Sequence, residues 1–255
     1  MRSRNLVIFA VSSYLFFLLL LLPASHLFTL FSPPASVLKL SGISGSVWSG
    51  SVDKVTIKNY SLDSLAWSLN PLLLFAGNIG LDLQSRFAGQ PLNTELDYSL
   101  FSKKVLLKQL NSNINASELQ KQLKLPFGEL VGTIQLDIDR LEIKPGQLPD
   151  VSGQLSWKQA QIKLYSTISM GHISLIIASA DNGELSGQLS NSGGEVSISG
   201  DIKVNANKSY NLNIKLKPRS NASKDLLNIL SLVAPRKINA EHIIQRSGRL
   251  SELGF

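Results

Sequence analysis

The chain contains no cysteine, and its 255 residues include only three histidines. Without cysteine the protein forms no disulfide and has no thiolate nucleophile, although this absence fits an oxidising compartment as well as a reducing one. The histidines are scattered along the chain and cannot supply the usual ligand set of a zinc site: His26, His172 and His242. The sequence therefore predicts neither a metal site nor a bound cofactor.

Motifs for catalysis are also absent. Nucleophilic catalysis needs a serine or cysteine beside an oriented base, and the chain has no G-x-S-x-G elbow, no phosphate-binding loop and no dinucleotide fingerprint. His242 lies beside Glu241, but ordinary surface placement is the simpler interpretation of this pair. The segment from Asp181 to Glu184 favours a hairpin turn over a calcium loop. These observations favour a protein that is not an enzyme.

One long hydrophobic run dominates the N-terminus. The stretch from Leu6 to Leu22 carries no charged residue, and roughly 20 apolar residues suffice to cross a bilayer as a helix. A cleaved signal peptide is the alternative, but its apolar region is about 7 to 15 residues long and precedes a small-residue cleavage site, which is not evident here. The sequence thus favours an uncleaved membrane anchor over residues 6–25, with apolar side chains that include Leu6, Phe9, Tyr14, Phe17 and Leu22.

Charges flanking the run predict its orientation. Arg2 and Arg4 precede the run, and the first basic residue after it is Lys39. Because cytoplasmic flanks are enriched in Lys and Arg, we expect residues 1–5 to lie in the cytoplasm. Two prolines, Pro33 and Pro34, then end any helix, so residues 26–36 are predicted to form a stalk. Residues 37–255 are predicted to form one domain outside the cytoplasm.

The rest of the chain follows a period of two. In one segment Ile134, Leu136 and Ile138 alternate with polar residues, which is typical of half-buried, mostly antiparallel strands. We therefore predict a mainly β domain, a curved antiparallel meander or sandwich-like sheet with a few short helices; the sequence leaves open whether it is an open groove or a closed sandwich. The predicted strands lie near residues 45–58, 79–86, 92–100, 104–110, 129–144, 151–165, 167–179, 184–190, 194–204 and 208–217.

Three short helices are predicted between the strands. Asn70 is a good cap for a helix from Pro71 to Ala76, and Gly77 suits the left-handed position after it. Leu72, Leu73 and Phe75 of this helix are predicted to fold under the sheet; if they point outward instead, they are a candidate for membrane or partner contact. The other two helices are predicted from Asn115 or Ala116 to Lys124, and from Ser223, the predicted cap, to Val233 as a cover on a sheet face.

Tryptophans and lysines each allow two interpretations. Trp48, Trp67 and Trp157 lie in predicted strands, where core packing is favoured over a platform for a ligand or partner. A group of lysines is predicted to be solvated on the faces of strands and a helix, although these residues could contact an anionic membrane surface. No nucleic-acid-binding motif is present. The lysines are Lys103, Lys104, Lys108, Lys121 and Lys124.

These segments together resemble the type II secretion system protein N family, also called general secretion pathway protein N. The resemblance starts in LSGISGSVWSGSVDKV, continues through LAWSLNPLLLFAGNIGLDL, and includes LPDVSGQLSWKQAQI and YNLNIKLKPR in the expected order. The residues that carry it, taken as family-motif positions of structural importance, are Gly45, Trp48, Gly50, Trp67, Pro71, Gly77, Gly153 and Trp157.

The resemblance implies a structural and interaction role rather than catalysis. Members of this family are single-pass inner-membrane accessory components of a machine that carries folded proteins from the periplasm across the outer membrane. The implied partners are the inner membrane and other secretion-complex subunits, either the inner-membrane platform or the outer-membrane secretin. A second hypothesis is a periplasmic protein that handles lipid or lipopolysaccharide, because a long sheet with an apolar groove can shelter acyl chains.

Overall fold

The computed structural model describes residues 2–31, 38–57, 60–123, 128–180, 182–234 and 237–253. The strands within these ranges are β1 (Leu38–Gly45), β2 (Ser49–Ile57), β3 (Tyr60–Asn70), β4 (Asn78–Phe87), β5 (Gln90–Ser99), β6 (Val105–Asn115), β7 (Glu129–Ile143), β8 (Asp150–Lys163), β9 (Thr167–Ser179), β10 (Leu185–Ser192), β11 (Val196–Val204), β12 (Ser209–Pro218), β13 (Lys237–Ile238) and β14 (Glu241–Arg249). The helices are α1 (Arg2–Leu20), α2 (Ala24–Phe31), α3 (Pro71–Leu74), α4 (Ala116–Leu123) and α5 (Lys224–Val233), with a final 3-10 turn, Leu250–Leu253.

All the described strands belong to one antiparallel sheet. Each strand from β1 to β11 pairs with the next one along the chain, and only the last two exchange places, so that β14 lies between β12 and β13. The predicted mainly β, antiparallel meander is therefore confirmed. In the described part of the chain it is one sheet, not the two facing sheets of a sandwich.

The register separates the two faces of the sheet. Because side chains alternate along a strand, residues paired across successive strands lie on one face. One row of pairs across β7 to β10 is made only of leucines, Leu136, Leu155, Leu175 and Leu189. The neighbouring row, on the other face, is made only of serines: Ser156, Ser174, Ser190 and Ser199. The sheet thus has an apolar face and a polar face.

Helix α5 covers the apolar face near its C-terminal end. Leu226 and Leu230 are buried in a cluster with Ile168, Val196 and Ile198. The Ser223 hydroxyl accepts a hydrogen bond from the Leu226 amide at 3.3 Å, which caps the helix as predicted. Burying side chains of this kind contributes on the order of 1.5–3 kcal/mol each, so this cluster is the main packed core among the described residues.

Several elements differ from the sequence prediction. Residues 24–31 form helix α2 instead of a stalk, because prolines end the helix only after Phe31; the rest of the predicted stalk, residues 32–36, lies outside the described residues. Strands β1, β3 and β13 were also absent from the predicted strand ranges, and so was β14, whose run of Glu, Gln, Arg and Ser offers little apolar alternation. Its pairing with β12 supplies the order that the local pattern lacks.

Helix α1 contains most of the predicted anchor. Its Leu6, Phe9, Tyr14 and Phe17 side chains each expose more than half of their surface, and Leu22 beyond it is half-buried. In the described part of the chain, no helix combines the length and apolar character needed to cross a membrane. The anchor over residues 6–25 stays a prediction.

Candidate functional site

An apolar groove lies between helix α2 and the apolar face of the first four strands. Its volume is about 410 Å³, within the roughly 300–1,000 Å³ of sites that hold small molecules. Every residue that lines it is apolar, so a ligand there would find no charged group. The lining consists of Ala24, Phe28, Leu40, Ile43, Val47, Val52, Leu65, Trp67, Leu69, Ile79 and Leu81.

Trp67 is the largest side chain of this apolar groove. It is half-buried, and its indole Nε1 donates a hydrogen bond to the Val47 carbonyl at 3.1 Å. The ring lies directly over Gly50 in the adjacent strand, where a Cβ atom would overlap the ring carbons. Glycine at position 50 is therefore needed for this ring position. Trp67 thus packs as a wall of the groove, as the favoured packing interpretation predicts, and the platform role stays a prediction.

The N-terminal helices join the sheet at one end of its strands. The Val47 amide donates to the Leu22 carbonyl at 3.1 Å, and Pro23 forms a β-bridge with Ser46. Trp48 lies in this β1–β2 turn rather than in a strand, and its carbonyl accepts a bond from the Leu69 amide at 2.7 Å. The chain therefore leaves the predicted anchor at the end of the sheet that carries the β1–β2 turn, the β3–β4 connection and the β5–β6 turn.

An apolar tip, made of Leu72, Phe75, Leu100 and Phe101, occupies the same end of the sheet. These side chains are 73%, 91%, 50% and 86% exposed. Helix α3 has the predicted cap, with the Leu72 amide donating to Asn70 Oδ1 at 3.1 Å, and Gly77 adopts the predicted left-handed conformation with φ of 72°. The Leu100 amide donates to the Gly77 carbonyl at 3.0 Å, which joins the two connections.

The prediction that Leu72, Leu73 and Phe75 fold under the sheet is confirmed for Leu73 and wrong for the other two. Only Leu73 packs inward, against Gly80 of β4, whereas Leu72 and Phe75 point away. A helix of four residues has one inner face, and positions three apart share a face, so Leu72 and Phe75 leave the sheet together. The alternative of outward-pointing residues available for contact is the observed one.

The second tryptophan motif lies in the middle of the sheet. Trp157 of β8 donates through Nε1 to the Val131 carbonyl of β7 at 3.0 Å, so its indole nitrogen is satisfied. Gly153 on the same strand faces the neighbouring backbone closely, since a Cβ there would lie 2.6 Å from the Asp137 carbonyl oxygen. Both residues therefore have packing roles in the β7–β8 pair.

A buried carboxylate, Glu142, holds three cations on the polar face. Its side chain is 3% exposed and contacts Lys144 at 2.7 Å, Lys104 at 3.4 Å and the Arg140 guanidinium. The hydrogen bond from Lys144 lowers the pKa of Glu142 to about 2 against the opposing effect of burial, with Arg140 and Lys104 adding to the decrease. Lysine 104 is thus in an ion pair rather than merely solvated.

A second carboxylate, Glu195, fastens helix α5 to the sheet. Its two oxygens accept bonds from the Ser169 amide at 3.0 Å and the Ser223 amide at 2.9 Å. Burial raises the pKa of Glu195, but the hydrogen bonds from Ser169 and Ser223 outweigh this effect, so the pKa lies below its ordinary value. Sequence analysis missed both carboxylates; only the R-x-E-x-K alternation around Glu142 gave a signal.

The histidines do not converge. His242 is 1% exposed and its Nδ1 donates to the Ala234 carbonyl at 2.6 Å, so the predicted surface placement is wrong. The ring is buried because its hydrogen bond connects β14 to Ala234, directly after α5. His172 pairs with Ser192 in the sheet, and His26 is an exposed residue of α2. Within the described ranges, no group of three or more potential metal ligands is found.

Comparison with known proteins identifies the family. Residues 36–240 match the family described as type II secretion system (T2SS), protein N. The chain belongs to this family. A relative from Aeromonas hydrophila, Type II secretion system protein N, is 28% identical over 214 residues, covering 81% of this chain and 82% of the relative. No solved structure gives a significant match. The predicted resemblance is thereby confirmed, and the protein is a component of type II secretion machinery.

Proposed function

We propose that this protein is a single-pass inner-membrane accessory subunit of the type II secretion pathway. Residues 1–5 lie in the cytoplasm, residues 6–25 cross the membrane, and the sheet stands in the periplasm, where it acts through protein contacts and not through catalysis. The carrying observation is that the family match spans residues 36–240, nearly the whole sheet, and that an uncharged hydrophobic run precedes it.

The proposed membrane topology rests on the charges that flank the hydrophobic run. Arg2 and Arg4 precede the run, and cytoplasmic retention of basic flanks favours an inward N-terminus. Fusions of alkaline phosphatase or green fluorescent protein to the C-terminus test it, because the first reporter is active only in the periplasm and the second only in the cytoplasm. We expect alkaline phosphatase activity and a membrane-bound protein of full length. A fluorescent fusion, or a trimmed and freely diffusing chain, would contradict the proposal.

Contacts with other subunits have a structural candidate in the edge strand β1. It pairs only with β2 among the described strands, and a sheet edge offers backbone groups to a strand from another chain. Lys39 is an exposed residue of β1, and Lys203 is its matched control because it is an exposed lysine in the interior strand β11. The two positions therefore compare an edge strand with a strand that is paired on both sides.

Photo-crosslinking in cells tests the edge. With p-benzoylphenylalanine placed at Lys39, we expect crosslinks to other secretion subunits, and few at Lys203. Deleting the gene should also lower the amount of protein secreted. Equal crosslinking at the two positions would remove the edge from the proposal, and normal secretion with an intact complex after deletion would count against an assembly role.

The apolar groove supports a second candidate function, the sheltering of a lipid acyl chain. A fully apolar lining of about 410 Å³ beside the predicted anchor is suited to hydrocarbon. Leu69 lines the groove, and its neighbour Ser68 is exposed on the opposite face of β3. Mass spectrometry of lipids that copurify without detergent should show a bound lipid in the native chain and in Ser68→Glu, and its loss in Leu69→Glu. A lipid-free native protein would dismiss this candidate.

A further inference from the structure

We propose that the apolar tip, Leu72, Phe75, Leu100 and Phe101, is seated in the surface of the same bilayer that the anchor enters. This contact rests on the proposed topology and adds a second attachment to it. The four side chains form an exposed apolar group on two connected segments. Exposed apolar groups of this kind mark interaction surfaces, because water solvates them poorly.

The position of the tip points to lipid as the occupant. The hydrophobic run ends where the Leu22 carbonyl bonds to the Val47 amide, and the neighbouring Trp48 carbonyl bonds to the Leu69 amide at the base of α3. Strands lie roughly 5 Å apart. The tip connections belong to β3 through β6, so they lie within about 20 Å of the strand that meets the anchor. A membrane surface at the end of the anchor is therefore within reach.

The charges beside the tip match a membrane surface. Neither connection, residues 70–78 or residues 99–105, contains an acidic residue. Lys103 is exposed two residues after Phe101, and Lys104, which pairs with Glu142, follows it. Apolar side chains flanked by lysines suit a bilayer whose headgroups include anionic lipids, since lysines near such a surface add attraction.

The chain offers a matched control at the other end of the sheet. Tyr165 is 109% exposed in the β8–β9 turn. Strand β8 has 14 residues, so this turn lies about 45 Å from the end of the sheet that carries the tip. Tyr165 is thus an exposed aromatic residue like Phe75 and Phe101, but it lies at the end of the sheet away from the anchor.

Site-directed labelling of the full chain tests the proposal directly. Because the protein has no cysteine, the variants Phe75→Cys, Phe101→Cys, Tyr165→Cys and Phe17→Cys each carry one labelling site. Each is spin-labelled and reconstituted in vesicles of phosphatidylethanolamine and phosphatidylglycerol. Electron paramagnetic resonance then compares collisions of the label with oxygen, which concentrates in the bilayer, and with a water-soluble nickel complex.

We expect the oxygen-to-nickel ratio at positions 75 and 101 to exceed that at position 165 severalfold and to approach the ratio at position 17. A ratio at 75 and 101 equal to that at 165, with position 17 in the bilayer, overturns the tip contact and leaves the anchor intact. A water-exposed label at position 17 overturns the anchor and the tip contact together. Vesicles of phosphatidylcholine alone should lower the ratio at the tip if the lysines contribute.

Discussion

Replacing Gly50 with alanine tests the packing that forms the wall of the apolar groove. The new methyl group would overlap the Trp67 ring and would lie 2.5 Å from the Ser44 carbonyl oxygen. The Ser44 backbone is held in strand β1 by its pairing with β2, so the Trp67 ring must move to admit the methyl group. Moving it breaks the hydrogen bond of 3.1 Å from Trp67 Nε1 to the Val47 carbonyl. Gly50 does not have a positive φ, so backbone strain does not add to the effect.

The magnitude follows from three contributions. Overpacking of this kind costs about 1–3 kcal/mol, and loss of the indole hydrogen bond costs about 1 kcal/mol. Alanine regains roughly 0.5–1 kcal/mol because it restricts the unfolded chain more than glycine does. The expected net loss is about 2 kcal/mol, which corresponds to a decrease in Tm of about 4–8 °C for a domain of this size.

Thermal unfolding of the full chain in detergent micelles, followed by circular dichroism and tryptophan emission, measures this loss. Gly187→Ala is the matched control, because its methyl group would meet a side-chain methyl, Cγ2 of Ile202, at 2.5 Å and no backbone atom closer than 3.9 Å, and Gly187 likewise lies in a strand without positive φ. We expect a smaller decrease in Tm for the control, because no ring moves and no indole hydrogen bond is lost there. An unchanged Tm in Gly50→Ala, or an equal decrease in both variants, would refute the reasoning about the Trp67 wall.

Two further predictions concern the carboxylates of Glu142 and Glu195. Glu142→Gln should unfold more easily than the native chain at neutral pH, because the lowered pKa of Glu142 shows that its charged form stabilises the folded state. Protonation removes this contribution, so the difference in stability should close as pH falls from about 4.5 to about 2. Urea unfolding at several pH values measures the difference; a constant gap would contradict it. Glu195→Ala should speed hydrogen exchange in α5, because the Ser169 and Ser223 amides lose their acceptor at a cost of about 1–3 kcal/mol, while exchange in β3 stays unchanged. Equal protection of α5 in both proteins would show that apolar packing alone holds the helix.

Local signals in the sequence predict much of this fold. Alternation identifies the strands and the apolar face, because each strand keeps a period of two and the hairpin connections keep neighbours in order. Helix caps are equally local, and Asn70 and Ser223 act as predicted. These features depend on a few neighbouring residues, so the sequence contains all the information needed to predict them.

What covers each surface could not be predicted from the same signals. A leucine in a strand pattern indicates a face, but the elements that pack on that face come from distant parts of the chain. Leu72 and Phe75 are of residue types usually found in the core but are exposed, whereas His242 is of a type usually found at the surface but is buried. The apolar groove likewise depends on α2 meeting β1 to β4, which no local pattern encodes.

The two candidate functions use different parts of the first four strands, so one variant combined with crosslinking can separate them. A partner strand would bond to the backbone of β1, whereas an acyl chain would contact side chains such as Leu69. Substituting Leu69 by glutamate places a charge in an apolar lining, which costs several kcal/mol for bound hydrocarbon but leaves the backbone edge of β1 in place. If Leu69→Glu loses its lipid and still crosslinks from Lys39, then the secretion level of that variant decides the question. Normal secretion makes the lipid incidental to an assembly role, and lost secretion makes the groove part of the mechanism.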